Sequence, residues 1–269
     1  MPQFTHDSID FYYHDSGTGD HVFVIQHGLG GNADDLINYV SHPHLRVIGM
    51  DARGHGNTIP LGVEAKLNFK TMADDMMALL DVLNIEKAII GGISMGAGIA
   101  LNVGLRHPER VHALLLSRPA WLNAPMPTEA LYHEIADIIR NYSADEGLIV
   151  FKNTSSYRQL KENAPAVADS LCNLFGQERA KETVAKLERI ASDQPLDSFA
   201  ALAQITAPTL VLITQQDPVH PYQYGEFLAE HIPRAELVEL TAKSVDAVKH
   251  DEEGRQAITN FVDKVLAQL

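Results

Sequence analysis

The chain has 269 residues, 45% of them hydrophobic and 21% charged, which is typical of a globular protein that buries its own core. Its formal net charge of −14 argues against nucleic acid and anionic membrane surfaces as partners, and it favours a small-molecule substrate. No segment approaches the roughly 20 apolar residues of a membrane helix and no signal peptide is recognisable, so we expect a cytoplasmic protein, either a monomer or a homo-oligomer.

Strands and helices alternate in the first part of the chain. Short apolar runs rich in β-branched residues are typical of parallel strands covered on both faces, and they span residues 21–26, 45–50, 87–92 and 112–117. Apolar residues recur at helical spacing over residues 69–84, and a second helix is predicted over residues 96–106. A Ser-Gly-Thr-Gly turn predicts an early hairpin within residues 9–26.

The pattern changes after Pro119. Up to Asp197 the sequence has little strand character and several helical segments broken by prolines. Strands resume at residues 207–217 and 235–240, and an amphipathic helix over residues 252–269 closes the chain. We therefore predict an α/β fold with a doubly wound, mostly parallel sheet. Its core comprises residues 1–118 and 200–269, and residues 119–199 form an inserted helical cap.

Ser94 lies in the sequence Gly92-Ile93-Ser94-Met95-Gly96, directly after a predicted strand and directly before a predicted helix. At such an elbow the serine hydroxyl projects from the carboxyl end of the sheet, and glycines leave room where a side chain would clash. The N-terminus of the following helix favours the negative charge that develops during attack. This position predicts that Ser94 is a catalytic nucleophile.

Three motifs in order carry a family resemblance: IQHGLGGN after one strand, DARGHG after the next, and GGISMGAG at the elbow. Together they resemble the α/β-hydrolase superfamily, in particular its small capped esterase, lactonase and haloperoxidase-like branch. The resemblance implies an oxyanion hole built from the backbone N–H groups of Leu29 and Met95. It also implies that His27 and His55 are structural, and that Asp51 and Arg53 fix loops.

In this fold the acid and then the histidine follow the serine along the chain. Asp217 precedes a proline and follows the apolar run at residues 209–213, as the family's acid does, and is the predicted acid. Of the later histidines, His220 is expected to be too close to Asp217 to reach the serine, and His231 is expected at the opposite edge of the sheet. His250 is expected in the loop between the last predicted strand and the closing helix, where the resemblance places the family's base, and is the predicted base. It comes about five residues later than the family's usual Gly-His pair.

Two residues at the start of the cap allow two interpretations each. Trp121 either lines the substrate pocket or packs inside the cap. Arg118 either meets an anionic group or forms a structural ion pair. The sequence contains no metal or cofactor motif, and none is expected.

We expect a cofactor-independent serine hydrolase that cleaves a small-molecule ester or lactone through an acyl-enzyme. The same triad also serves C–C bond hydrolysis and perhydrolysis. A non-catalytic small-molecule receptor on a hydrolase scaffold is a further alternative, which the late position of His250 favours.

Overall fold

The computed structural model describes residues 2–37 and 39–269; Met1 and Asn38, which fall in the predicted core segment, lie outside the described residues. The strands of the described part are β1 (Gln3–His6), β2 (Ile9–Asp15), β3 (His21–Gln26), β4 (Leu45–Met50), β5 (Ala88–Ile93), β6 (Val111–Ser117), β7 (Thr209–Thr214) and β8 (Ala235–Leu240). They form one sheet in the order β1-β2-β4-β3-β5-β6-β7-β8. The pairs β1–β2 and β2–β4 are antiparallel, and every other neighbouring pair in this order is parallel. The predicted fold class is confirmed.

Helices cover both faces of this sheet. They are α1 (Phe69–Val82), α2 (Met95–Arg106), α3 (Glu129–Asn141), α4 (Ala144–Lys152), α5 (Ser155–Asn163), α6 (Pro165–Cys172), α7 (Ala180–Thr183), α8 (Ala185–Ala191), α9 (Tyr222–His231) and α10 (Ala247–Leu266). Adjacent residues of one strand point to opposite faces, so Val24 packs with the α1 and α2 side and Ile25 with the α10 side. Across residues 2–37 and 39–269, no helix is long and apolar enough to cross a membrane.

The early hairpin is predicted wrongly. β2 does not pair with β3; it pairs antiparallel with β4, which lies between them. The Asp15 carboxylate binds the Arg46 guanidinium at 2.9 and 2.6 Å, which ties the end of β2 to β4. The Ser-Gly-Thr-Gly segment therefore crosses over the end of β4 rather than turning tightly between neighbours.

The helices α3 to α8 follow β6 and precede β7, within the segment predicted as a cap. The sheet resumes at β7 immediately beside β6, at the position where the chain left it. The insertion therefore leaves the order of the parallel strands undisturbed. The division into a core and a cap at residues 119 and 199 stays a prediction.

The closing helix begins earlier than predicted. α10 starts at Ala247, because the Asp246 side chain accepts a hydrogen bond from the Lys249 backbone N–H at 2.9 Å and caps the helix. His250, expected in the loop before this helix, therefore lies in the first helical turn. This change decides where its imidazole ring can point.

Candidate active site

The elbow at Ser94 joins β5 to α2 in a strained backbone conformation. Ser94 has φ 56° and ψ −111°, a region that residues with side chains rarely adopt. A Cβ atom at Gly92 would lie 2.0 Å from the Gly96 carbonyl carbon, and one at Gly96 would lie 2.0 Å from the Gln26 carbonyl oxygen. Only glycine can occupy either position without moving the backbone. The turn leaves Ser94 mostly buried, at the carboxyl end of the sheet.

The loop after β3 lies against this elbow. A Cβ atom built on Gly28 would be 3.4 Å from the Ser94 Cβ, so the two backbones approach closely. Leu29 lines the cavity beside Ser94, and Met95 is the first residue of α2. The two residues with predicted oxyanion-hole N–H groups thus flank the serine from the loop and from the helix.

Asp217 follows β7 and begins a tight turn. Its Oδ1 accepts hydrogen bonds from the backbone N–H groups of Val219 at 3.2 Å and His220 at 3.3 Å. The His220 N–H also lies 3.2 Å from the Asp217 carbonyl oxygen. This local bonding turns the chain back on itself, so the side chains at both ends of the turn face each other.

The imidazole of His220 joins the carboxylate to the serine. Its Nδ1 is 2.7 Å from Asp217 Oδ2, and its Nε2 is 2.8 Å from Ser94 Oγ. An ionised carboxylate only accepts hydrogen bonds, so the ring proton lies on Nδ1 and leaves Nε2 free to accept the serine proton. Ser94, His220 and Asp217 therefore form one continuous hydrogen-bonded chain.

Opposing effects act on the Asp217 carboxyl. Burial raises its pKa, but the charge and hydrogen bond of His220 and the Arg118 guanidinium outweigh burial, so the pKa lies below its usual value. Arg118 Nη1 is 3.9 Å from Asp217 Oδ2. The carboxylate is thus held in the ionised form that orients the imidazole.

The structure does not bring His250 to the serine, which corrects its assignment as the base. The ring lies in the first turn of α10, where Nδ1 is 2.8 Å from the Thr241 carbonyl oxygen. It is 4% exposed and is not among the residues that line the cavity at Ser94. Burial lowers the pKa of His250, as expected for a ring that packs a helix against the sheet.

Trp121 is also absent from the cavity wall, so its interpretation as a pocket residue is corrected. Its ring packs edge-on against Phe69 at a centroid distance of 5.3 Å. The indole Nε1 is 3.4 Å from the Ala191 carbonyl oxygen at the end of α8. Trp121 therefore packs the inserted helices against α1.

The argument that placed His220 out of reach is wrong, because it treated the distance along the chain as the obstacle. A histidine must contact its carboxylate in any case, and the turn at Asp217 achieves this over three residues. The elbow and the turn are two strands apart, roughly 10 Å, which the intervening side chains span. The signal was in the sequence: Asp217-Pro218-Val219-His220-Pro221 is separated from a strand of the sheet by two residues, whereas His250 is close to the start of a helix.

A cavity of about 830 Å³ opens at Ser94 and His220. The inserted helices contribute part of its wall, including Val167, Leu171 and Leu174. The volume is in the range of small-molecule sites. In residues 2–37 and 39–269, no group of three or more His, Cys, Asp and Glu side chains is arranged to hold a metal ion.

A hydrogen-bonded chain ties the inserted helices to the loops of the sheet. The Gln177 side-chain amide donates to the carbonyl oxygen of Gly30, in the loop that carries Leu29. Lys186 of α8 donates to Gln177 Oε1 at 3.1 Å and to the Gly54 carbonyl oxygen at 2.7 Å. Burial lowers the pKa of Lys186 to about 8. Gln177 thus attaches the loop beside the serine to the inserted segment.

The residues predicted to fix loops make the contacts expected of them. Asp51 accepts hydrogen bonds from the backbone N–H groups of Ala33 at 2.6 Å and Asn57 at 2.7 Å. Arg53 is fully buried and forms two hydrogen bonds of 2.6 Å with Asp75 in α1. These contacts join the loops after β3 and β4 to α1, on the side of the sheet opposite α10.

Comparison with known proteins identifies the family and the fold of the chain. A family model described as "alpha/beta hydrolase fold" matches residues 21–244. The chain is 30% identical over 238 residues to the 2-hydroxymuconate semialdehyde hydrolase of a Pseudomonas species, covering 83% of this chain and 80% of the relative. It is 28% identical over 225 residues to 3-oxoadipate enol-lactonase 2 of Acinetobacter baylyi, covering 82% and 78% of the two chains.

Solved structures show the same fold. The enol-lactonase from Burkholderia xenovorans superimposes with a TM-score of 0.71 at 22% identity, covering 99% of this chain and 100% of that chain. Family model, relatives and fold thus agree over most of the sequence, including the loop after β3, the elbow and the turn after β7. The chain therefore belongs to the α/β-hydrolase family.

Proposed function

We propose that the protein is a serine hydrolase that cleaves a small-molecule carboxylic ester or lactone, with Ser94 as nucleophile, His220 as general base and Asp217 as the acid that orients it. The observation that carries this proposal is the chain of two hydrogen bonds, 2.8 Å from Ser94 Oγ to His220 Nε2 and 2.7 Å from His220 Nδ1 to Asp217 Oδ2. Both distances are within the reach that proton transfer requires.

The reaction would proceed in two halves. As Ser94 Oγ attacks the carbonyl carbon, His220 Nε2 takes its proton and then passes that proton to the departing alcohol oxygen. Water then loses a proton to His220 as it attacks the acyl-enzyme, and Ser94 regains its proton when the acid leaves. Asp217 stabilises the imidazolium in each half. Backbone N–H groups of Leu29 and Met95 would stabilise the tetrahedral oxyanion, a single such donor being worth about 3 kcal/mol.

The inserted helices are proposed to act as a lid. Their residues contribute to the cavity wall, and Gln177 holds the loop that would provide one oxyanion N–H group. A lid of this kind limits water and shapes the pocket for the acyl or alcohol part of the substrate.

The receptor alternative loses its main support. It depended on a histidine too late in its loop to activate the serine, and the ring beside Ser94 belongs to His220. The relatives named above are a lactonase and a semialdehyde hydrolase, which accords with hydrolysis as the general reaction.

A fluorophosphonate probe tests the proposal. We expect it to label the protein at Ser94 and to label the Ser94→Ala variant no longer, with turnover of at least one member of a p-nitrophenyl ester and lactone series. Absence of labelling together with absence of turnover across the series would refute hydrolase function and favour a receptor.

A further inference from the structure

Arg118 occupies a special position in the site. It directly follows β6, the strand between the one that leads to Ser94 and the one that leads to Asp217. The Ser117 carbonyl oxygen accepts the Ser94 N–H at 2.9 Å, and the Arg118 N–H binds the Leu212 carbonyl oxygen at 2.8 Å. Arg118 is therefore fixed at the centre of the carboxyl edge of the sheet.

The backbone of Arg118 is strained. Its φ is 47°, in the left-handed region that costs a residue with a side chain about 1 kcal/mol or more. Such strain persists only where surrounding structure maintains it, and it occurs often at functional sites. Here the conformation accompanies a side chain that lines the cavity rather than one that packs into the core.

The guanidinium is poorly satisfied by the protein. In residues 2–37 and 39–269 its side chain forms no hydrogen bond, and its only ion pair is the 3.9 Å approach to Asp217. That distance is beyond hydrogen-bond reach, and the Asp217 oxygens already bind His220 and the backbone of its own turn. The side chain is nevertheless 22% exposed, so most of it is withdrawn from bulk water.

Other charged residues of the cavity wall already have partners. Lys243 pairs with Asp251 at 3.4 Å, and Asp169 accepts two hydrogen bonds from Lys161. The Asp35 carboxylate accepts the Asn32 N–H at 3.2 Å. Lys243 is 43% exposed and pairs with Asp251 at the rim, whereas Arg118 is the less exposed of these two cations in the described wall and has the more distant carboxylate partner.

We propose that Arg118 binds an anionic group of the substrate, so that the preferred ester or lactone carries a carboxylate; this rests on the hydrolase function proposed above. A guanidinium presents its N–H groups in a planar fork that matches a carboxylate with two parallel hydrogen bonds. The apolar wall at Val167, Leu171 and Leu174 would contact the carbon chain between that carboxylate and the scissile carbonyl.

A matched pair of substrates tests this directly. The mono-p-nitrophenyl ester of adipic acid carries a carboxylate, and its methyl ester is neutral but otherwise the same. We expect the wild-type protein to cleave the anionic ester with a kcat/KM about tenfold or more above that of the neutral one. The Arg118→Gln variant should lose this ratio and cleave both at similar efficiency, whatever its overall rate. Arg118→Lys should retain part of the ratio, because it keeps the charge without the fork.

Arg189→Gln is the control for the change in charge. Arg189 lies in α8, is 58% exposed and approaches Glu64 only at 3.6 Å, so this variant should keep the wild-type ratio. Thermal melts verify that each variant folds. A wild-type ratio near one, or a ratio that survives in Arg118→Gln, would overturn the proposal while hydrolysis of the neutral ester left the hydrolase function intact.

Binding separates the two proposals if hydrolysis fails. Calorimetry with the Ser94→Ala variant measures affinity for both esters without turnover. Tighter binding of the anionic ester, lost when Arg118→Gln is added, supports the anion site even if no ester is cleaved by the wild-type protein. Equal binding of the two esters to Ser94→Ala contradicts it.

Discussion

The imidazole of His220 lies 2.8 Å from the hydroxyl of Ser94 and takes its orientation from a carboxylate in its own turn. Two segments of chain, the elbow after β5 and the turn after β7, therefore provide all the side chains of the proposed proton relay. Catalysis and stability can be tested separately where the replaced residue, such as Asp75 or His27, lies outside these two segments.

Replacing His220 should abolish catalysis, whereas replacing His250 should not. His220→Ala removes the proton acceptor of Ser94, and we expect kcat/KM to fall by about ten-thousandfold. His250→Ala removes a hydrogen bond to Thr241 and leaves a small void, so it should lower stability and change kcat/KM by less than about tenfold. Ester hydrolysis well below the melting temperature measures both. The opposite pattern would restore His250 as the base.

Replacing glycine by alanine should lower the free energy of unfolding at the elbow and raise it in the closing helix. Gly96→Ala would place a Cβ atom 2.0 Å from the Gln26 carbonyl oxygen, so we expect a loss of about 2 kcal/mol or more and a displaced Ser94. Gly254→Ala is in the interior of α10, where the nearest atom is 3.6 Å away, and should stabilise the fold by about 0.5–1 kcal/mol. Urea denaturation gives both values, and a neutral Gly96→Ala would argue against a rigid elbow.

Breaking the buried ion pair between Asp75 and Arg53 should strongly destabilise the protein. Asp75→Asn leaves a fully buried guanidinium without its main partner, and we expect a loss of about 3 kcal/mol in the free energy of unfolding. Asp74→Asn is the matched control on the same helix, since Asp74 is 43% exposed where it pairs with Arg106. It should cost less than about 1 kcal/mol. Equal losses in the two variants would show that burial does not set the cost.

Mild acid should destabilise the fold through His27 and His55. Burial lowers the pKa of His27 from 6.5 to about 4 and lowers that of His55 well below 6.5. His27 Nε2 accepts the Ala52 N–H at 3.0 Å, so a proton on Nε2 would face another donor.

The direction of this change in the free energy of unfolding depends on whether the folded or the unfolded state binds more protons. Above pH 6.5 neither state binds a proton at these rings; below it the unfolded chain does and the native one does not, until the pH reaches the folded pKa. The free energy of unfolding should therefore fall as the pH drops from 6.5 to about 4, with about 3 kcal/mol arising from His27. Denaturation at a series of pH values measures this, and His27→Asn should reduce the slope. An unchanged slope in that variant would exclude His27 as a source.

The parallel strands were predictable because all but the edge strand β8 are short apolar runs that are largely buried, and five of the six begin and end within two residues of the prediction. The pairing of β2 was not predictable. The sequence after Asp15 is compatible both with a tight hairpin to β3 and with a connection that crosses β4. That choice depends on Arg46, a partner about 30 residues away, whose contact with Asp15 local sequence does not reveal.

The candidate site likewise has residues whose positions the sequence predicts and one residue whose position it does not. Ser94 directly follows a strand and Asp217 comes soon after another, and the resemblance to the α/β-hydrolase superfamily identifies the two as nucleophile and acid at one edge of the sheet. Which histidine reaches Ser94 depends on two local features. Asp246 caps α10 early, so that His250 lies inside a helix, and the turn at Asp217 directs His220 towards the serine. Both are hydrogen bonds between a side chain and the backbone three residues further along the chain. Hydrophobic periodicity predicts helices and strands but does not reveal such bonds.

The acid and the base share four consecutive residues, from Asp217 to His220, and this has a consequence for how such a site can be altered. The two groups move as one unit, so relaxing or shifting the turn changes a single separation, that between the turn and the elbow. The segment between β8 and the first turn of α10, which includes the buried His250, provides no group to this hydrogen-bonded chain and instead packs α10 and contributes Lys243 and Ser244 to the cavity wall.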